Sequence, residues 1–220
     1  MLRLALDTST RLGSVAVGRD GELLAETTLS VRASHSETVL PEADHLLRRC
    51  GLGPADLDEV VVGAGPGSFT GVRISASLAK GLCAATGAGL RAFSSLAAVA
   101  AGAGAAERVA ALFDARGDEV YAAAWEEPGR PEASSPPAVT GVAELADRLG
   151  PGWTYAGPGA RSHRTTLEAA GGRVLPAPFS VPRGSALLAL AAAWPEAGHV
   201  EDAAGWEPGY VRDAGAERGV

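Results

Sequence analysis

The sequence is short of the residues that usually carry disulfide, thiol or metal chemistry. Its two cysteines, Cys50 and Cys83, stand apart in helix-like segments and form neither a C-x-x-C pair nor a disulfide framework. We therefore expect free thiols and a reducing, cytoplasmic compartment. The four histidines match neither H-x-x-x-H nor H-E-x-x-H, so no metal ligands are expected on this chain.

Positive charge and long apolar runs are also scarce. The 220 residues include 19 lysines and arginines against 26 aspartates and glutamates, which gives a net charge of -7. Without a basic stripe, independent nucleic-acid binding is not expected. The longest apolar run, residues 186–194, is about half a membrane span, and Asp7 comes too early for a signal peptide. No membrane or targeting segment is therefore expected.

The length and the residue pattern predict a mixed α/β protein with two lobes, residues 1–100 and residues 101–220. The elements expected in the first lobe are an antiparallel meander at 2–6, 14–17 and 23–29, a helix at 35–50, a buried strand at 60–62 and a helix at 72–85. The pattern Ser34–Glu37 matches a capping box for the first helix. The second lobe begins with strands at 109–113 and 120–125, and no internal repeat is apparent.

The stretch VVVGAGPGSFTGVR, residues 60–73, predicts a buried strand that turns through glycines into a helix. It matches neither the P-loop nor the G-x-G-x-x-G fingerprint. Pro66 lacks an amide donor, and Phe69 is bulky where a phosphate would need room. A helix N-terminus nevertheless attracts anions. From the residues alone, a structural corner is favoured over a phosphate cradle, and both interpretations stay open.

A polar run, Asp7-Thr8-Ser9-Thr10, follows the first strand. Actin-like and hexokinase-like phosphotransferases place an acid and hydroxyls there, beside nucleotide phosphates and magnesium, but the same residues also form ordinary Asx and Ser/Thr turns. The resulting candidate for a vestigial nucleotide site consists of Asp7, Thr8, Ser9, Gly65 and Gly67. No G-x-S-x-G elbow is present, and no catalytic residue is assigned.

Several segments resemble the bacterial TsaB (YeaZ) family. They are LALDTST at 4–10, HSETVLP at 35–41, VVGAGPGSFTGVRISASLAKGL at 61–82, FSSLAAVA at 93–100, DARGDEVYAA at 114–123 and PGYVRD at 208–213. The resemblance implies a two-lobed actin-like ATPase fold (ASKHA, RNase-H-like), in which mixed sheets are flanked by helices.

The resemblance also implies a function. TsaB proteins are non-catalytic scaffold and dimerisation subunits for making threonylcarbamoyladenosine beside the anticodon of ANN-decoding tRNAs. The implied partners are the catalytic subunit TsaD and the ATPase TsaE, with a homodimer expected for the isolated chain and tRNA contacted only through the complex. ATP or ADP and metal are expected at the partner subunits, with no cofactor on this chain alone. The alternative is an ATP-dependent phosphotransferase or a residual peptidase of the same fold.

Comparison with the catalytic relative disfavours chemistry on this chain. The positions of the relative's H-x-x-x-H metal pair correspond to Ser95 and Val99, which cannot supply imidazoles. A second nucleotide loop at residues 114–117 is disfavoured too, because Arg116 puts a long side chain where phosphate would approach.

The family resemblance places partner binding on the two helices of the first lobe. The second helix is rich in small side chains, which would let another helix approach closely, although alanine and glycine are common throughout this chain. The interface candidates are Leu40, Ala43, Asp44 and Leu47 on the first helix, and Arg73, Ala76, Ser77 and Lys80 on the second.

Overall fold

The computed structural model describes residues 1–30, 35–115, 117–177 and 180–209. Three sequence predictions fall partly outside the described residues: the Ser34 cap, Arg116 of the 114–117 loop, and residues 210–213 of the PGYVRD segment. None of the described helices is long and apolar enough to cross a bilayer.

Each half of the chain begins with three consecutive strands, which are followed by a mixture of helices and strands. The first half contains β1 (Leu2–Asp7), β2 (Leu12–Arg19), β3 (Glu22–Ser30), α1 (His35–Arg49), β4 (Glu59–Gly63), α2 (Phe69–Thr86), β5 (Gly89–Phe93) and α3 (Ser95–Ala101). The second half contains β6 (Val109–Asp114), β7 (Glu119–Trp125), β8 (Ser135–Gly141), α4 (Val142–Leu149), β9 (Thr154–Ala156), α5 (Pro158–Ser162), α6 (Arg164–Ala169), β10 (Arg173–Val174), α7 (Gly184–Ala193) and β11 (His199–Val200).

The two sheets follow one topological plan. In the first sheet, with strand order β11-β5-β4-β1-β2-β3, β1 to β3 form the expected antiparallel meander, and β4 and β5 run parallel to β1. In the second sheet, with order β10-β9-β6-β7-β8, β6 to β8 form a meander, and β9 and β10 run parallel to β6. The expectation of no internal repeat is therefore wrong at the level of topology, because the plan recurs with mostly different residues.

Helices and sheets stack in five layers. Helices α1 and α2 cover the outer face of the first sheet, where Leu4 and Leu6 of β1 lie level with Val60 and Val62 of β4. Helices α3 and α7 lie between the sheets and share one core with both of them. Helices α4, α5 and α6 cover the outer face of the second sheet. This is the mixed α/β, two-sheet architecture that the sequence predicts.

The chain returns to the first sheet near its end. Helix α7 packs on β1 and β2, and β11 pairs with β5. The division at residue 100 stays a prediction about separate lobes, but the described elements after residue 184 extend the first sheet.

A buried ion network holds this return in place. Arg91 of β5 is 2% exposed and pairs through Nε and Nη2 with Oε1 of Glu59, at 3.1 and 3.0 Å. Its Nη1 donates to the carbonyl oxygens of Ala191 and Trp194, both at 3.2 Å. Nε of Arg3 lies 2.7 Å from the other carboxylate oxygen of Glu59. Because every charge here has an opposite charge or a carbonyl beside it, the network fixes α7 to the sheet without leaving a bare buried ion.

Candidate functional site

The polar run after β1 is a buried turn. Asp7 Oδ1 accepts hydrogen bonds from the Ser9 amide at 2.8 Å and from Ser9 Oγ at 2.6 Å. Asp7 and Thr8 are completely buried, and Ser9 is 2% exposed. This is the Asx-type turn that such residues form locally.

The start of α2 docks directly on this turn. Thr8 Oγ1 donates to the Gly71 carbonyl oxygen at 2.6 Å and accepts from the Ser75 amide at 3.2 Å. The Ser68 amide donates to the Ser9 carbonyl oxygen at 2.8 Å, while Ser68 Oγ caps the helix by accepting from the Gly71 amide at 3.3 Å. The helix consequently begins at Phe69, three residues before the sequence-based start at residue 72.

Glycine is required at this junction because the two segments nearly touch. A Cβ at Gly67 would collide with the Ser9 carbonyl oxygen, and a Cβ at Gly71 would collide with that of Thr8. A Cβ at Gly63 would collide with the Asp7 carboxylate. The glycines thus leave room for the chain's own backbone, which favours the corner interpretation. Of the vestigial-site residues, Gly67 lies against Ser9 of the Asp7–Ser9 turn, whereas Gly65 contacts Ser95 and Val72; nucleotide binding there stays a prediction.

The second lobe contains a matching corner that the sequence analysis missed. Residues 156–159, which span the end of β9 and the start of α5, repeat the Ala-Gly-Pro-Gly of residues 64–67 between β4 and α2. A Cβ at Gly157 would collide with the Leu112 carbonyl oxygen, and one at Gly159 would lie 2.8 Å from the carbonyl carbon of Phe113. The repeated tetrapeptide was the available signal, but four residues are too few to reveal a duplication when the rest has diverged.

The positions aligned with the relative's metal pair lie inside the core. Ser95 and Val99 on α3 are completely buried, and Ser95 Oγ accepts from the Gly65 amide at 3.1 Å. No cluster of three or more histidines, cysteines and acids suited to a metal occurs among the described residues. Burial raises the pKa of the Cys83 thiol, so this cysteine stays protonated at neutral pH and fills space in the core.

Helix α1 contributes only part of its predicted interface to the surface. Leu40 is 44% exposed, and Asp44 is partly exposed and pairs with Arg48. Ala43 and Leu47 are 2% and 1% exposed and pack in the core of the first lobe. They lie on the side of the helix that faces the sheet, so this structure does not expose them to a partner, and their place in the interface stays a prediction.

Helix α2 offers a more open face. Arg73 and Ser77 are exposed, and the Arg73 guanidinium lies 5.1 Å from the centre of the Phe69 ring. A groove of about 400 Å³ runs along this face, lined by Phe69, Thr70, Arg73, Ile74, Ser77 and Leu78. Farther along the helix, Gly81, Ala84 and Ala85 are exposed, so a neighbouring backbone can approach closely here.

The other two candidates on α2 contact the chain's own C-terminal part. Lys80 is half-buried, and its Nζ donates to the Trp206 carbonyl oxygen at 2.9 Å. Ala76 is 4% exposed and lies between the core and residues 206–208, and its role as an interface residue stays a prediction. The sequence analysis missed Trp206, Glu207 and Pro208, since a polar stretch near the chain end carries no periodic signal.

Sequence comparison finds relatives over half or more of the chain. The family model described as "TsaD: tRNA N6-adenosine threonylcarbamoyltransferase" matches residues 22–157. The chain is 37% identical over 127 residues to the tRNA threonylcarbamoyladenosine biosynthesis protein TsaB of Bacillus subtilis, covering 57% of this chain and 56% of the relative. The chain spans about half the length of the curated relatives it matches.

Structural comparison extends the likeness to nearly the whole chain. The solved structure of YeaZ from Pseudomonas aeruginosa has a TM-score of 0.81 at 33% identity, covering 95% of this chain and 99% of that one. The activator of 2-hydroxyisocaproyl-CoA dehydratase from Clostridium difficile shares the fold alone, with a TM-score of 0.52 at 13% identity, covering 88% and 94%. The expected two-lobed actin-like fold class is confirmed.

Proposed function

The chain belongs to the TsaB (YeaZ) family, and we propose that it is a non-catalytic scaffold in the biosynthesis of tRNA threonylcarbamoyladenosine. In this role it binds a TsaD-like catalytic subunit, and the assembled pair recruits a TsaE-like ATPase. ATP or ADP and metal are bound by those partners, and tRNA is contacted through the complex.

The observation that carries this proposal is the contrast between a closed corner and an open helix face. The polar groups beside the glycine turn bond to one another in the interior, where a substrate would have to displace backbone. Leu40 is exposed on α1, and the groove beside Ser77 exposes apolar and small side chains on the neighbouring helix α2. Such a face can pack against two helices of a partner as a four-helix contact. The isolated chain would use the same face to form a homodimer.

The direct test mixes the purified chain with the TsaD-family subunit of the same organism and measures mass by light scattering after size-exclusion chromatography. We expect one species with the mass of a heterodimer. Two separate species would contradict partner binding. A reconstituted tRNA-modification assay with and without the chain then tests the scaffold role, and undiminished modification without it would overturn that role.

The nucleotide-enzyme alternative is tested on the chain alone. Calorimetry with ATP and Mg²⁺ is expected to give no tight binding, and a phosphate-release assay is expected to give no turnover. Tight binding that is lost in the Asp7→Asn variant, together with turnover, would favour a phosphotransferase over a scaffold.

A further inference from the structure

Residues 201–208, here called the strap, run alongside α2 on the side away from α1. A groove of about 320 Å³ lies between them, lined by Phe69, Arg73, Ala76, Ser77 and Lys80 of α2 and by Trp206, Glu207 and Pro208 of the strap. The groove therefore has two walls, α2 on one side and the strap on the other.

The strap is held in place by several contacts. Lys80 Nζ donates to the Trp206 carbonyl oxygen at 2.9 Å, and the Trp206 side chain packs against the core of the first lobe. The Asp202 carboxylate accepts from the amides of Ala204 and Gly205 at 3.0 and 3.1 Å, and the Trp206 amide donates to the Asp202 carbonyl oxygen at 3.0 Å. Because this turn presents Trp206 to the helix, the shape of the groove depends on that side chain.

The charges in the groove are unbalanced. Arg73 and Lys80 are the only charged residues of α2, both are cations, and neither makes an ion pair within the part of the chain that the structure describes. Among the described residues that line the groove, Glu207 is the one acid. On a chain of net charge -7, this is a local cationic site. A carboxylate that binds both cations would form charge-assisted hydrogen bonds, which are stronger than those between neutral groups.

We propose that this groove recognises an acidic side chain presented by a helix of the partner protein. Arg73 and Lys80 bind the carboxylate. Trp206 is a positioning residue: it keeps the strap in place as the wall of the groove opposite α2. A helix fits because the exposed small residues Ser77, Gly81 and Ala84 continue the same face of α2. The inference rests on the proposed partner binding and adds the chemistry that the partner must supply.

Binding of the TsaD-family subunit to the full chain, measured by calorimetry, tests the groove. We expect Arg73→Gln and Lys80→Gln each to weaken the Kd by roughly tenfold, because each removes a charge-assisted hydrogen bond. The matched control is Arg148→Gln on α4, an exposed cation of the other lobe, which is expected to leave the Kd unchanged. Raising the salt concentration is expected to lower the affinity of the wild type more than that of the double variant Arg73→Gln/Lys80→Gln, because salt screens an ion pair at the groove.

The strap has its own pair of variants. Trp206→Ala is expected to weaken binding about as much as Lys80→Gln, roughly tenfold, while Trp206→Phe keeps an aromatic wall and restores most of the affinity. Glu201→Gln changes an acid of the strap outside the groove and is expected to have no effect.

The outcomes separate the two proposals. A wild-type chain that does not bind the subunit overturns both. A wild-type chain that binds, with variants of equal affinity and equal salt dependence, overturns the acid-recognition groove alone. Tighter binding by a chain ended at Gly209 would show that the groove receives this chain's own residues, and would also overturn the inference.

Discussion

The two glycine corners, residues 64–67 and 156–159, have the same four-residue sequence and the same position in the topology, but they pack against different surroundings. In the first lobe, Gly67 and Gly71 lie against a turn whose Thr8 hydroxyl makes two buried hydrogen bonds. In the second lobe, Gly157 and Gly159 lie against the backbone of β6. The same Ala-Gly-Pro-Gly therefore occurs at one polar and one apolar junction. What the two junctions share is that the glycines allow a helix to pack closely against a strand or turn.

The helices that follow the two corners differ more strongly. Helix α2 runs unbroken for 18 residues and exposes small side chains with only two charges. The corresponding stretch of the second lobe is divided into α5 and α6, of 5 and 6 residues, and exposes an Arg164–Glu168 ion pair. A polar, broken surface is suited to water, whereas a long helix with small side chains is suited to another helix. This difference supports the proposal that the first lobe binds the partner.

The largest expected effect concerns the buried ion network of Arg3, Glu59 and Arg91, which lies on the central strands of the first sheet. Arg91→Met leaves Glu59 with one cation and removes both carbonyl contacts to α7, so the free energy of unfolding is expected to fall by about 3–5 kcal/mol. Urea denaturation followed by circular dichroism measures this change. The exposed-pair control Arg164→Met in the second lobe is expected to cost less than about 1 kcal/mol. If both variants lose the same free energy of unfolding, the buried network of the first lobe is no more stabilising than the exposed ion pair of the second.

Alanine substitutions test whether the two corners are equivalent. Gly71→Ala and Gly159→Ala each place a methyl group against backbone that cannot move aside, so each is expected to cost about 3 kcal/mol in urea denaturation. Gly81 lies on α2, as Gly71 does, but nothing lies within 4 Å of a Cβ built at Gly81. Gly81→Ala is therefore expected to stabilise by about 0.5–1 kcal/mol. A tolerated Gly159→Ala would mean that only the polar corner is tightly packed.

Bulky substitutions test the difference between the helix surfaces. Ser77→Trp fills the groove of α2 and is expected to raise the Kd for the TsaD-family subunit by about thirtyfold, a loss of roughly 2 kcal/mol in binding free energy. The melting temperature is expected to change little. Thr165→Trp makes the same kind of change on an exposed position of α6 and is expected to leave the Kd unaltered. Equal binding by both variants would refute the chosen face.

The smallest expected effect is the loss of stability when the buried hydroxyl of the polar corner is removed. Thr8→Val keeps the volume of the side chain but leaves the Ser75 amide and the Gly71 carbonyl without the hydroxyl, so a loss of about 1–2 kcal/mol is expected in thermal denaturation. Thr154→Val in β9 removes a hydroxyl for which no comparable pair of bonds is observed within the described residues, and is expected to change stability by less than about 1 kcal/mol. If the two variants behave alike, the buried hydroxyl of the first corner has no special role.

Much of the fold could be predicted because its signals lie within a few neighbouring residues. The meander, the buried strand β4 and the two helices of the first lobe occur where hydrophobic periodicity indicates them. The face of each helix was harder to predict. Ala43 and Leu47 lie one turn apart on α1, as an interface pair would, but the same spacing serves a core pair. Choosing between them requires the position of the sheet, which periodicity does not contain.

The sequence by itself determined the local geometry: a glycine turn that admits close backbone contact, and a helix whose small side chains leave room for a neighbour. Only the tertiary structure decided what occupies that room. The Lys80–Trp206 contact joins residues 126 positions apart, and β11 returns to pair with β5 after the whole second lobe. Such contacts depend on how the chain closes on itself, and no local pattern of residues specifies that closure.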